Sequence, residues 1–161
     1  MLKTVPRVIV TGYKNGKDTI ISDQNAEHVI KHESGFVISD IWATLKVPVD
    51  SFSSGVTENE ILPNISPHGT LFRYVSIPPD SEVKRYFPDK PGQPHPLMHQ
   101  TPTLDYIIIL SGQLFLIMED TETLLSPGDI VIQCATNHAW SNRTNEACIQ
   151  VAILLGTNTP K

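Results

Sequence analysis

The last third of the chain is a series of short apolar runs closed by turn residues, and this spacing constrains the fold more than any other feature. "LDYIIIL", "QLFLIM", "TETLL", "DIVIQC" and "CIQVAILL" follow one another, joined by "SG", "EDT", "SPG" and the longer "ATNHAWSNRTNEA". Runs of this length, rich in branched aliphatics and bounded by turn residues, read as β-strands. Nine glycines and thirteen prolines fall largely between the apolar runs. No long amphipathic helical pattern and no internal repeat is present. Strands this closely spaced predict a β-sandwich or a closed barrel.

The first two thirds fit the same class. In "RVIVTGYKNGKDTIISD", Asn15-Gly16 can take the positive φ angles of a tight primed turn, with "RVIV" and "TII" as the arms of a hairpin. A strand is expected around Ile41 to Val47, with Trp42 and Thr44 on one face. "TLFRYVSIP" sets Leu71, Arg73 and Val75 against Phe72, Tyr74 and Ser76. Residues 50–69 look irregular, with a short helical turn expected near Thr57–Leu62. The proline-rich "PPDSEVKRYFPDKPGQPHP" reads as a long surface loop or lid, carrying His95. With 161 residues, one domain is expected: N-terminal strands and an arm over 1–67, and a core carrying the site over 68–155.

Several function classes lose support. The formal net charge is −5 and no Lys/Arg cluster stands out, so neither nucleic acid nor a membrane surface is an expected partner. The longest apolar stretch, near "CIQVAILLG", is far too short to span a membrane. The short N-terminal apolar run is broken by Pro6, so a soluble, cytoplasmic chain is expected. Cys134 and Cys148, both in apolar strands, are expected to be free, buried thiols. The glycosylation sequons at Asn64 and Asn142 are then accidental.

The chemistry concentrates in "HQTPTLD". On an extended chain His99, Thr101, Thr103 and Asp105 face one way, and Ile107 and Ile109 continue that face. A carboxylate fed into an apolar interior costs several kcal/mol unless it is protonated, paired or ligated. His138, followed on its face by Trp140 and Asn142, lies beyond the strand "IVIQC", and a turn-strand-turn return can bring it beside His99 and Asp105. Arg73 offers a planar fork for a substrate oxygen, or is a surface charge. Trp42, Tyr74, Tyr106 and Trp140 either line a pocket or fill the core, and Trp140 is the best placed for a pocket.

These two pieces resemble the motifs of the cupin superfamily. His99-x-Thr101, three residues, Asp105, six residues and Gly112 keep the spacing of the first motif. Gln133, Ala135, His138 and Asn142 stand at the positions of the second, where His and Asn match while the family's Pro and Gly do not. "SPGD" at 126–129 is similar to the turn that precedes that strand. The resemblance covers roughly residues 95–155 and is closest to small single-domain cupins that accompany natural-product or aromatic-compound pathways. It implies an all-β jelly-roll barrel, here with an N-terminal hairpin extension.

The family's metal site, three histidines and a glutamate, is altered: Thr101 replaces one histidine and Asp105 the glutamate. What remains suits either of two chemistries. His99, Asp105 and His138 can hold Fe(II) or Zn(II) with open positions, as in an oxygenase. Equally, they can serve as a metal-free acid–base pocket of an isomerase, cyclase, dehydratase or decarboxylase acting on an oxygenated metabolite. There Asp105 and one histidine move the proton, while the other histidine and Arg73 stabilise charge on oxygen. Trp140, Thr101, Trp42, Tyr74 and Asn142 are the expected substrate contacts. A non-catalytic ligand-binding cupin is the third reading. The free edge of the extension suggests a homodimer.

Overall fold

In a computed structural model of the chain, residues 2–48, 65 and 67–158 are described. The helical turn expected near Thr57–Leu62 and the Asn64 sequon lie outside them. The described residues form eleven strands and one short helix. In chain order these are β1 (Arg7–Lys14), β2 (Lys17–Asn25), β3 (His28–Lys31), β4 (Val37–Thr44), β5 (Thr70–Ile77), α1 (Asp80–Val83), β6 (Thr103–Ser111), β7 (Leu114–Ile117), β8 (Glu122–Leu125), β9 (Ile130–Cys134), β10 (Ala139–Ser141) and β11 (Cys148–Gly156). A six-stranded sheet runs β3-β4-β5-β11-β6-β9, a three-stranded one β10-β7-β8, and β1-β2 stands as a separate hairpin. Every pairing among the named strands is antiparallel.

Turn chemistry explains the register. Asn15 (φ 55°) and Gly16 (φ 79°) both take the left-handed conformation of the expected primed turn. Gly112 (φ 76°) closes the β6–β7 turn; a Cβ there would sit 2.8 Å from the Cys148 Cα, so no other residue fits. In "SPGD", Gly128 has φ 95° and the Asp129 carboxylate accepts the Ser126 N–H at 2.7 Å.

The core lies between the two larger sheets. Val75, Ile77, Ile109, Leu114, Leu116, Leu125 and Cys148 form one buried cluster. Ala43, Leu71, Ile107, Ala152 and Leu154 form a second along the inner face of the six-stranded sheet. Trp140 packs against both.

Several expectations change. The strand expected at Ile41–Val47 runs instead over Val37–Thr44, because it pairs with β5 on one side and on the other with β3 (His28–Lys31), which has too little apolar pattern to be read. The turn expected at "ATNHAWSNRTNEA" contains β10, whose three residues are too few to show a period. The proline-rich connection starts with α1 instead of a free loop. The Asp80 carboxylate accepts the Ser141 hydroxyl (2.6 Å) and the Asn142 N–H (2.8 Å), and Val83 is buried. That end of the connection is pinned to β10 and is not a lid. Cys148 is buried, its thiol pKa pushed up to about 11 by burial, but Cys134 is exposed because β9 is an edge strand with its even positions outward. Among the described residues no helix is long and apolar enough to cross a membrane.

Candidate active site

β6 carries Thr103, Asp105, Ile107 and Ile109 on its inner, buried face, as the alternation predicts. Just before it, His99 and His138 bond reciprocally through their backbones, each N–H donating to the other's carbonyl at 2.9 Å. The loop that precedes β10 is thereby laid beside the chain entering β6. The imidazole centroids sit 4.4 Å apart, and Trp140 meets His138 edge-on at 5.5 Å. His138 is buried, whereas His99 is exposed. Both line a cavity of about 190 Å3 with Arg73, Thr101, Asp105, Trp140 and Gln150. Phe36, Ile38, Val75, Ile77, Ile107, Ala152 and Leu154 supply its apolar wall.

Each histidine presents the same tautomer. His99 Nδ1 lies 2.9 Å from the Leu97 carbonyl and His138 Nδ1 lies 2.9 Å from that of Thr136. A carbonyl only accepts, so Nδ1 donates in both rings and the basic nitrogen of the neutral form is Nε2. Burial, reinforced by the nearby His99, holds the His138 pKa below its usual 6.5, against an opposing bond to Thr136. His138 is therefore a neutral imidazole at pH 7.

Asp105 is shifted the other way. Burial raises its pKa above the usual 3.8, opposed by a hydrogen bond from Thr103 and by the positive charge of Arg73 and His99. Its Oδ1 is buried without a hydrogen-bond partner. Two titratable groups with displaced pKa values thus face one small cavity, an arrangement that marks proton-transfer sites.

The other expected contacts divide. Thr101 lines the cavity, its hydroxyl 2.9 Å from that of Thr103. Arg73 also lines it but is neither a surface charge nor a free clamp: Nε and Nη2 donate to the two oxygens of buried Asp40, at 2.6 and 3.0 Å. Asn142 is a correction. It is fully buried and saturated, donating to the Ile77 and Glu146 carbonyls and accepting from Thr144 twice, so it organises the β10–β11 loop and meets no substrate. That burial also rules out its sequon. Tyr74 and Trp42 are corrections too. Tyr74 donates its hydroxyl to the Lys3 carbonyl and Trp42 is paired with Phe72, both on the outer face of the sheet. Tyr106 likewise lies outside, half exposed. His95 makes a local turn, accepting the Leu97 N–H.

Sequence reasoning missed Gln150 and Asp40, and placed Gln133 only as a motif position without a role. Gln150 lines the cavity and its Oε1 is buried without a partner. Its signal was one polar residue inside "CIQVAILL". Gln133 lies opposite Asp105 in register and donates to the Thr136 carbonyl, shaping the loop that holds His138.

The donor set does not form a three-ligand metal centre. The Thr101 hydroxyl is engaged by Thr103, and among the described residues no three His, Cys, Asp or Glu side chains converge closely enough to hold an ion. The disagreement concerns Asp105, which does not join the two imidazoles at ligand distance.

Ala135, where the resemblance calls for glycine, takes φ 48°, and its N–H donates to the Thr103 carbonyl at 3.0 Å. An alanine in this left-handed region carries roughly 1–2 kcal/mol of strain. Ala135→Gly is expected to stabilise the fold by about 0.5–1 kcal/mol after glycine's greater unfolded-state entropy is subtracted. A urea midpoint that does not rise would show that the loop relaxes around alanine.

The chain is similar in sequence to several known proteins. Residues 86–154 match the family described as "Cupin domain". The phomopsin biosynthesis cluster protein C' of Diaporthe leptostromiformis is 31% identical over 135 residues, 81% of this chain and 65% of that protein. The cupin-domain-containing oxidoreductase fogC of Aspergillus ruber is 28% identical over 143 residues, 87% of this chain and 66% of that protein. The chain thus spans about two thirds of the length of these relatives. A solved cupin with a double-stranded β-helix fold, from Methanocaldococcus jannaschii, aligns with 55% of this chain and 71% of its own at 14% identity and a TM-score of 0.41. Residues 86–154 of this almost all-strand chain thus form a cupin domain.

Proposed function

We propose that the chain is an acid–base enzyme of natural-product biosynthesis, moving a proton within a small, oxygenated, largely apolar metabolite held in the cavity. One observation carries this reading: a buried, partly unpartnered Asp105 shares a small cavity with a neutral, buried His138. Asp105 takes a proton from a carbon next to a carbonyl. As the carboxylic acid so formed, Asp105 returns the proton to the accepting atom, while the bare Nε2 of neutral His138 accepts a hydrogen bond from a substrate hydroxyl and orients it. Negative charge developing on the substrate oxygen is met by those Arg73 N–H groups that Asp40 leaves free. Isomerisation and cyclisation both conserve protons in this scheme. The relatives from biosynthesis clusters support the metabolic setting.

The name of the fogC relative favours a second reading, an oxidoreductase; if it used a metal on His99 and His138, Asp105 would have to move to join them. One experiment separates the two. The protein is incubated in deuterium oxide with a panel of enolisable aromatic ketones, and deuterium uptake at carbon is followed by NMR. Exchange that survives exhaustive chelation, and that fades on acidification as Asp105 takes up its proton, is the expected result. Exchange lost on chelation and restored by Fe(II) would replace the acid–base reading with the metal-dependent one.

A further inference from the structure

Gln150 has no part in the proton transfer, yet it faces the same cavity. It sits on β11 at 4% exposure, and its Oε1 is buried without a hydrogen-bond partner. Its neighbours in register are apolar: Val75 on β5 and Ile109 on β6, both in the buried cluster between the sheets. An amide oxygen kept from water and left unpaired weakens a fold. Methionine would fill nearly the same space without that penalty. A glutamine at this point of the wall is accounted for by something that it binds.

Register fixes where that something lies. On β6 the inner face runs Asp105, Ile107, Ile109, and β11 sets Leu154 opposite Asp105 and Gln150 opposite Ile109. The two polar residues therefore stand four residues apart along neighbouring strands. At the usual rise and strand spacing their Cα atoms are about 14 Å apart. The bridge between His99 and His138 lies beyond the start of β6, on the far side of Asp105 from Gln150. Gln150 thus marks the end of the cavity remote from the histidines.

We infer that Gln150 is a specificity-determining residue, its amide oxygen accepting a hydrogen bond from an uncharged hydroxyl at the remote end of the substrate. An orphaned acceptor calls for a donor. A charged group is disfavoured, because Val75 and Ile109 offer no counter-charge and Arg73, two positions along β5, is already paired with Asp40. The substrate's other end rests on the proton-transfer reading of Asp105. A contact of about 3 Å at each end leaves at most about 8 Å between the acidic carbon and the hydroxyl oxygen. A two-ring ketone with a phenolic hydroxyl on the ring away from the carbonyl covers that distance.

The test is calorimetric binding at pH 7 of 7-hydroxy-1-tetralone, its 7-methoxy ether and unsubstituted 1-tetralone, to wild type and to Gln150→Met. A phenol is uncharged at that pH. Wild type is expected to bind the hydroxy ketone roughly ten- to a hundredfold more tightly than the other two. In Gln150→Met the three affinities should converge, and its urea midpoint should rise because the orphaned oxygen is gone. A wild type that binds none of the three or that ranks the methoxy ether with the hydroxy ketone, a preference that persists in Gln150→Met, or a variant less stable than wild type each overturns the inference. Deuterium exchange on the same ketones keeps the two readings apart. A hydroxyl preference in binding without exchange removes the proton-transfer reading and leaves Gln150 in its role, whereas exchange without the preference removes Gln150 alone.

Discussion

Asp105→Asn is expected to slow proton exchange by about two to four orders of magnitude while making the protein more stable at neutral pH. The activity loss follows from position. Among the described residues Asp105 is the only carboxylate on the cavity wall, and asparagine offers no basic oxygen. The stability gain follows from linkage. Burial raises the folded-state pKa above 3.8, so between the unfolded and folded values the native state holds a proton that the unfolded chain has released. Stability falls as pH rises through that window, and the penalty persists above it. Asparagine never ionises and escapes the penalty. Thermal melts from pH 3 to 8 should therefore show wild type and variant closest in acid and separating, in favour of the variant, as pH rises. Such opposed effects are the signature of a strained functional group rather than a structural one. Wild-type turnover in the variant would remove Asp105 from the chemistry. Equal pH slopes would show that its carboxylate is solvated.

What the sequence revealed, and what it hid, separates along physical lines. Period-two alternation is written locally, so the inward face of Thr103, Asp105, Ile107 and Ile109 was readable before any fold was known. Turn chemistry is equally local, and Asn15-Gly16 and Gly112 fell where they were expected. The pairing of His99 with His138 is not local. It was reached through the spacing of two motifs, and the structure realises it as a backbone bridge. Asn142 shows where that route fails. It matched a motif position, but motif position does not say whether a polar side chain faces a cavity or stitches a loop. Trp42 and Tyr74 failed for a different reason: an apolar outer sheet face imitates a core in composition. Gln150 and Asp40 became visible only once β11 and β4 were set beside their neighbours.

Asp40 leads to the second large effect, the loss of its partner. Arg73→Met is expected to cost about 3–5 kcal/mol of stability at pH 7, as for other broken buried pairs. Asp40 is 3% exposed and both its oxygens are held by the Arg73 guanidinium. Removing that cation strands a carboxylate between β4 and β5, beside the bulge that separates Asp40 from Trp42. The reverse change is milder. Asp40→Asn leaves Arg73, whose side chain is 27% exposed and can be hydrated, so roughly 1–3 kcal/mol is expected. The double variant should recover much of the loss, because neither charge is left alone. Urea midpoints at constant slope measure all three, and a loss below about 1 kcal/mol in Arg73→Met would mean that water reaches Asp40. The same substitution carries a catalytic reading. Arg73 lowers the Asp105 pKa through its charge. Without it, Asp105 holds its proton more tightly, and the acid limb of the exchange profile should move to higher pH.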